Sequence, residues 1–152
     1  MQYIIILQDS DLDMEMAAIA YAHFITKVGY KGYVYNSLKK DSKYYTESIS
    51  DDSKYIVICK ENIDIKHDKT KVMEIITNHN INTSEFKEAN LTYVDNMGIC
   101  TYMAKMYLKE KVSINKDILD ILISGIEKVN KKTDEDVYIL NYLKGVKIWL
   151  LI

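Results

Sequence analysis

The chain contains no arginine and no proline. Without arginine it lacks the planar guanidinium that grips a phosphate through two parallel hydrogen bonds. The double absence, beside an abundance of lysine, isoleucine, asparagine and tyrosine, is the bias an AT-rich genome imposes. Cysteine is scarce. Cys59 and Cys100 form no CxxC pair, which fits a reducing compartment, the cytoplasm, and gives no zinc signature. No apolar run approaches the roughly 20 residues a membrane span needs. The opening MQYIIIL has no basic segment ahead of its apolar run, so no signal peptide is expected. No long block of like charge occurs and the formal net charge is −2, so charge does not indicate a nucleic-acid partner. Internal repeats, low-complexity tracts and linkers are missing as well.

What remains is an ordinary globular composition, with 48% apolar and 28% charged residues in 152. That length suits one domain with a real core, and residues 1–152 are expected to form a single unit ending in a tail from Thr133 to Ile152. The stretch from Ile4 to Tyr30 organises it. Ile4-Ile5-Ile6-Leu7 reads as a buried parallel strand, Gln8-Asp9-Ser10 as a turn, and the segment from about Asp13 to Val28 as a helix with Ala17, Ala20, Phe24 and Val28 on one face. Gly29 suits its C-terminal cap. Ligands of open α/β sheets sit outside the carboxyl ends of the strands, so Asp11-Leu12-Asp13 marks the expected position of a site.

Further strands are expected at Tyr33–Tyr35, Tyr55–Cys59, Val72–Ile76 and, at an edge, Leu91–Val94. Residues 37–53 read as a polar loop with a helical turn. Two helices follow: Gly98–Lys109, with Cys100, Met103, Ala104 and Tyr107 as its apolar stripe, and Ser113–Val129, capped by Ser113 or Asn115. The sum is an α/β three-layer sandwich, a mostly parallel sheet of about five strands with helices on both faces.

These landmarks resemble the N-terminal domain of the DHH phosphoesterase superfamily, most of all the family II (manganese-dependent) inorganic pyrophosphatases and related exopolyphosphatases. Asp11-Leu12-Asp13 matches the end of the family's His-x-Asn-Pro-Asp-x-Asp motif, and Ala18-Ile19-Ala20-Tyr21-Ala22 matches the helix run after it. Lys27-Val28-Gly29-Tyr30 matches the helix ending. Glu74-Ile75-Ile76-Thr77-Asn78-His79 lies where the family has Glu-Ile-Ile-Asp-His-His, and Tyr93-Val94 with Gly98 where it has a strand before Val-Gly-Ser-Thr. The resemblance implies the DHH-domain fold, and it implies two metal ions held by imidazoles and carboxylates.

Most of the implied ligand positions are changed. The leading His falls on Leu7, the carboxylate ending the third strand on Cys59, the Asp-His pair on Thr77 and Asn78, and a late Asp near Val129. His79 remains as a candidate catalytic residue, and Asp11 and Asp13 as weak candidates for one Mn²⁺ or Mg²⁺ ion. Asp11, or Asp13 with Glu15 in the first turn, can instead cap the helix and complement its dipole. The family's second, substrate-clamping domain is not represented. The expectation is therefore a pseudoenzyme: a binding or protein-interaction module with no cofactor, dimerising through a sheet edge as the resemblance implies or acting as a subunit or bound factor of a larger assembly. The alternative is a residual metal-dependent phosphoesterase, or a nucleotide-binding protein, using Asp11, Asp13 and His79. His23 and His67 have no partner by spacing, and Cys59 at a strand end reads as buried and inert. The closing VKIWLLI, with Trp149, Leu150 and Leu151 as interface candidates, reads either as a segment packed on the core or as an apolar patch for a partner.

Overall fold

The computed structural model describes residues 1–36, 43–47 and 49–151, with Leu151 described by its backbone alone. The elements are β1 (Gln2–Gln8), α1 (Leu12–Lys27), β2 (Lys31–Tyr35), β3 (Tyr45–Thr46), β4 (Lys54–Cys59), a 3-10 turn at Lys69–Lys71, β5 (Val72–Thr77), β6 (Asn90–Tyr93), α2 (Ile99–Lys109), α3 (Lys116–Glu127) and α4 (Asp134–Leu151). Every strand pair is parallel, and the sheet runs β3-β2-β1-β4-β5-β6. The chain moves outward from β1 to β3, then returns to the other side of β1 at β4. Strand order therefore reverses between β1 and β4, and the crevice beyond their carboxyl ends is where such sheets place ligands.

The five expected strands are all present. A sixth, β3, occupies part of the segment read as a polar loop, while residues 37–42 and 48 of that segment, where a helical turn was expected, lie outside the described residues. Both sheet faces are buried, which explains the unbroken apolar strands. Ile5, Ile56, Ile58 and Ile76 pack against the helices. Ile4, Ile6, Val57, Cys59 and Ile75 pack on the opposite face under Ile63 and Phe86, which come from connecting segments. Among the described residues, the layer on that face is irregular chain with one 3-10 turn.

Helix α1 is the middle of the structure. It touches β1, β2 and β4 on one side and α2 and α3 on the other. Its burial is therefore not confined to one stripe: Met14, Ala17, Ala18, Ile19, Ala20, Ala22 and Ile25 are all buried. Val28, expected on the apolar face, is 46% exposed because the helix has already ended there. Gly29 follows at φ 104°, with Tyr30 N–H bonded to the Ile25 carbonyl and Gly29 N–H to that of Thr26, a Schellman ending. The expected stripe of α2 is fully buried at Cys100, Met103, Ala104 and Tyr107. Asn115, not Ser113, caps α3, its Oδ1 accepting from Ile118 N–H at 2.9 Å. Glu74 in β5 ties three elements together, accepting hydroxyls from Tyr21 at 2.6 Å and Thr92 at 2.9 Å.

The tail from Thr133 is an 18-residue helix. Its first half packs through Ile139, Leu140 and Leu143, and salt bridges from Lys144 to Glu127 and from Lys147 to Asp120 hold it to α3.

Candidate functional site

A cleft of about 290 Å³ lies at the carboxyl ends of the strands, where the first turns of α1, α2 and α4 converge. Asp11 caps α1, its Oδ1 accepting from Met14 N–H at 2.9 Å, and its Oδ2 stands 3.7 Å from Lys60 Nζ. The expected capping role of Asp11 is therefore present, at the rim.

Asp13 lies deeper, 6% exposed, and caps a different helix from its own. Its Oδ2 accepts from Ile99 N–H at 2.8 Å and its Oδ1 from Cys100 N–H at 2.9 Å. Burial pushes its carboxyl above the ordinary aspartate range, and the two N–H bonds pull the other way. Asp136, at the start of α4, completes the arrangement. Its Oδ1 accepts from Gly98 N–H at 2.9 Å and from the Thr101 hydroxyl at 2.6 Å, and its Oδ2 accepts from Thr133 N–H at 3.0 Å. Burial acts to raise the Asp136 carboxyl, but these bonds together hold it below the ordinary range. The first N–H groups of α2, the positive pole that would otherwise meet an anion in the cleft, are thus taken by two carboxylates of the same chain.

Sequence reasoning passed over Asp136. The signal was present, since Thr133-Asp134-Glu135-Asp136 has the spacing of a capping box, and Thr133 Oγ1 does accept from Asp136 N–H at 3.2 Å.

Of the other candidate positions, Asn78 and Val129 line the cleft and four do not. Asn78 Oδ1 is shut off from water without a hydrogen-bond partner. Val129 packs over Gly98, where an added Cβ would stand 3.3 Å from its Cγ2. Leu7 packs half-buried against the helical core. Cys59 faces the opposite side of the sheet, and burial pushes its thiol up to about 11 against a weaker opposing bond with Thr77. Thr77 is a buried tie between strands, donating to the Cys59 carbonyl at 2.7 Å and accepting from His79 N–H at 3.1 Å. The His79 side chain is exposed and stands outside the cleft lining.

Two divalent ions held about 3.5–4 Å apart need several hard or imidazole donors aimed at a shared point. Asp13 has both oxygens engaged by backbone N–H groups, and Asp11 has one. No group of three His, Cys, Asp or Glu side chains that could hold a metal ion occurs among the described residues. The donor set does not fit the pair of ions that the resemblance implies.

No family model matches the chain, and no curated protein matches it by sequence. A solved structure does match in three dimensions. The crystal structure of Methanococcus jannaschii putative family II inorganic pyrophosphatase superposes with a TM-score of 0.57 at 17% identity, covering 94% of this chain and 54% of that one. The likeness is one of fold. This chain spans about half the length of that neighbour, and the shared half is the parallel α/β sheet with its helices.

Two other surfaces stand out. Strand β6 is a sheet edge with Leu91 50% and Tyr93 54% exposed, beside an apolar groove of about 720 Å³ floored by Phe24, Tyr102 and Met106. At the end of α4, Ile148 is 61%, Trp149 78% and Leu150 58% exposed. Val146, which opens the closing segment, packs against the core, whereas Ile148, Trp149 and Leu150 stand in solvent on the last turn of α4. The Leu151 side chain and Ile152 lie outside the described residues. No described helix is long and apolar enough to cross a membrane.

Proposed function

We propose that this chain is a catalytically inactive domain of pyrophosphatase-like fold that works as a protein-interaction module. The observation that carries this reading is the commitment of Asp13. Each Asp13 oxygen already accepts an N–H from the α2 N-terminus, so a cation would have to share that carboxylate with two buried hydrogen bonds that hold it to the helix. A scaffold whose cleft carboxylates serve its own helix ends is put to use through its surface.

The surface best suited to that use is β6. Natural sheet edges are blunted by lysine, proline, bulges or a covering segment. The four β6 residues, Asn-Leu-Thr-Tyr, include neither lysine nor proline, pair with β5 in regular register and leave two large apolar side chains in solvent. The occupant we favour is the β6 edge of a second copy, and the exposed end of α4 offers a second contact to a larger assembly. Cys59 and Cys100, both free and buried, support a cytoplasmic location. At most one loosely held Mn²⁺ or Mg²⁺ at Asp11 is expected, and no other cofactor.

Phosphate release from pyrophosphate with and without Mn²⁺, measured beside sedimentation of the same protein, tests the reading. No turnover together with a concentration-dependent dimer is expected. Mn²⁺-dependent turnover abolished by Asp11→Ala would establish the alternative, a residual phosphoesterase.

A further inference from the structure

His23, a helical residue with no partner evident from its spacing, is held at both ring nitrogens by neighbours from two other helices. Its Nδ1 lies 2.8 Å from Tyr107 Oη on α2, and its Nε2 lies 3.1 Å from Nδ2 of Asn115, the cap of α3. The direction of every bond in this chain follows from its ends. Tyr107 has one hydroxyl proton and gives it to the Ala20 carbonyl at 2.6 Å, since a carbonyl can only accept. Tyr107 Oη must then accept from His23, which places the imidazole proton on Nδ1. At the other end Asn115 Oδ1 accepts from Ile118 N–H, so its amide cannot be turned around without losing the cap. Its NH₂ group therefore points at Nε2, which must be an unprotonated acceptor. His23 is neutral, and both tautomer and ring orientation are fixed.

We propose that His23 is an acid-sensitive latch: protonation at Nε2 sets two donors against each other and releases the first turn of α3 from α1 and α2. Asn115 then turns its oxygen to the imidazolium and leaves Ile118 N–H unpaired. The packing of the rings adds to the coupling, since His23 stacks on Tyr107 at 6.1 Å and Phe24 meets Tyr107 edge-on at 5.2 Å.

The charged surroundings favour the neutral ring. Lys27 lies one turn along α1, and Lys43 comes from the segment before β3 and pairs with Asp117 of α3 at 3.7 Å. Tyr33 of β2 and Tyr44 line the same cavity, of about 390 Å³, which lets water reach the ring. Burial first, then Lys27 and Lys43, hold the imidazole below the ordinary histidine range. The latch is independent of the proposal made for the cleft and the sheet edge.

Long-range ¹⁵N–¹H spectra of the full chain, titrated from about pH 8 to about pH 5, test it. At the upper end His23 should show the neutral form protonated on Nδ1. As it titrates, the Ile118 amide should shift with the same midpoint and lose protection from exchange by about fivefold or more. Asn115→Asp keeps an oxygen for Ile118 and offers another to the imidazolium, so it should raise the His23 midpoint by about one pH unit, a tenfold change in protonation constant. A neutral ring protonated on Nε2, an Ile118 amide indifferent to the His23 titration, or an Asn115→Asp midpoint that stays put or falls would overturn the latch.

Discussion

Cys100 is tied to Asp13 twice: its N–H donates to Oδ1 at 2.9 Å, and its thiol donates to the Asp13 carbonyl at 3.1 Å. The first turns of α1 and α2 are thereby fastened at the mouth of the sheet. Burial, followed by the Asp13 carboxylate, pushes the Cys100 thiol far above its usual range, so it is a structural donor and not a nucleophile.

Removing the carboxylate that fastens them should be costly. Asp13→Ala strands two buried N–H groups, and an unfolding titration in urea should show a loss of about 2–4 kcal/mol with little change in slope. Asp11→Ala removes one exposed cap and should lose about 1 kcal/mol. A residue kept for weak cation binding alone would show no such loss in metal-free buffer.

Asp136 and Asp13 should leave opposite marks on the pH dependence of stability. The folded value of Asp136 is below its unfolded one, so its contribution is complete above about pH 4 and is lost as pH falls through the folded value. Asp13 is raised, so its titration favours the fold below about pH 4, and that share is lost as pH rises through the folded value. Asp136→Asn should therefore cost most near neutrality, with the gap to the native chain closing as the solution is acidified below about pH 4. A gap that widens on acidification would contradict the assignment.

Gly125 on α3 is the point where three helices meet. A Cβ there would collide with Cys100 Sγ and stand 3.0 Å from Met16 Cβ. Gly125→Ala should destabilise by about 1–3 kcal/mol despite the better helix propensity of alanine. In a Cys100→Ala background the same change should cost less, with a coupling of about 1 kcal/mol in a double-mutant cycle.

The proposed dimer is tested at β6 and α4 separately. Leu91→Lys places a charge on the open edge and should shift sedimentation to monomer while leaving thermal unfolding of the subunit nearly unchanged. Trp149→Glu should leave that dimer intact, because the end of α4 is assigned to other partners. A dimer lost on Trp149→Glu and kept on Leu91→Lys would move the interface to α4.

Strand positions were legible in the sequence because both sheet faces are covered, which gives parallel strands such as Tyr55–Cys59 an apolar run with no alternation to misread. The same double covering hid the shape of α1. Its buried residues surround the helix, so a single-stripe reading left out Met14, Ala18 and Ala22 and included Val28. In the site, Asp11 as a cap was readable from local spacing. Asp13 was not, since its partners lie 86 and 87 residues away. His23 escaped for the same reason, with partners 84 and 92 residues distant. Contacts of that range are set by how the helices stack, which local periodicity does not encode.

The most direct test of the Asp13 commitment is a calorimetric titration of the metal-free chain with Mn²⁺, paired with nuclear magnetic observation of the Ile99 and Cys100 amides. No tight binding of two ions per chain is expected, and the amide signals should stay at their metal-free positions. Two Mn²⁺ ions bound per chain, with those two amides shifted or broadened as Asp13 turns from α2 to the metal, would contradict it.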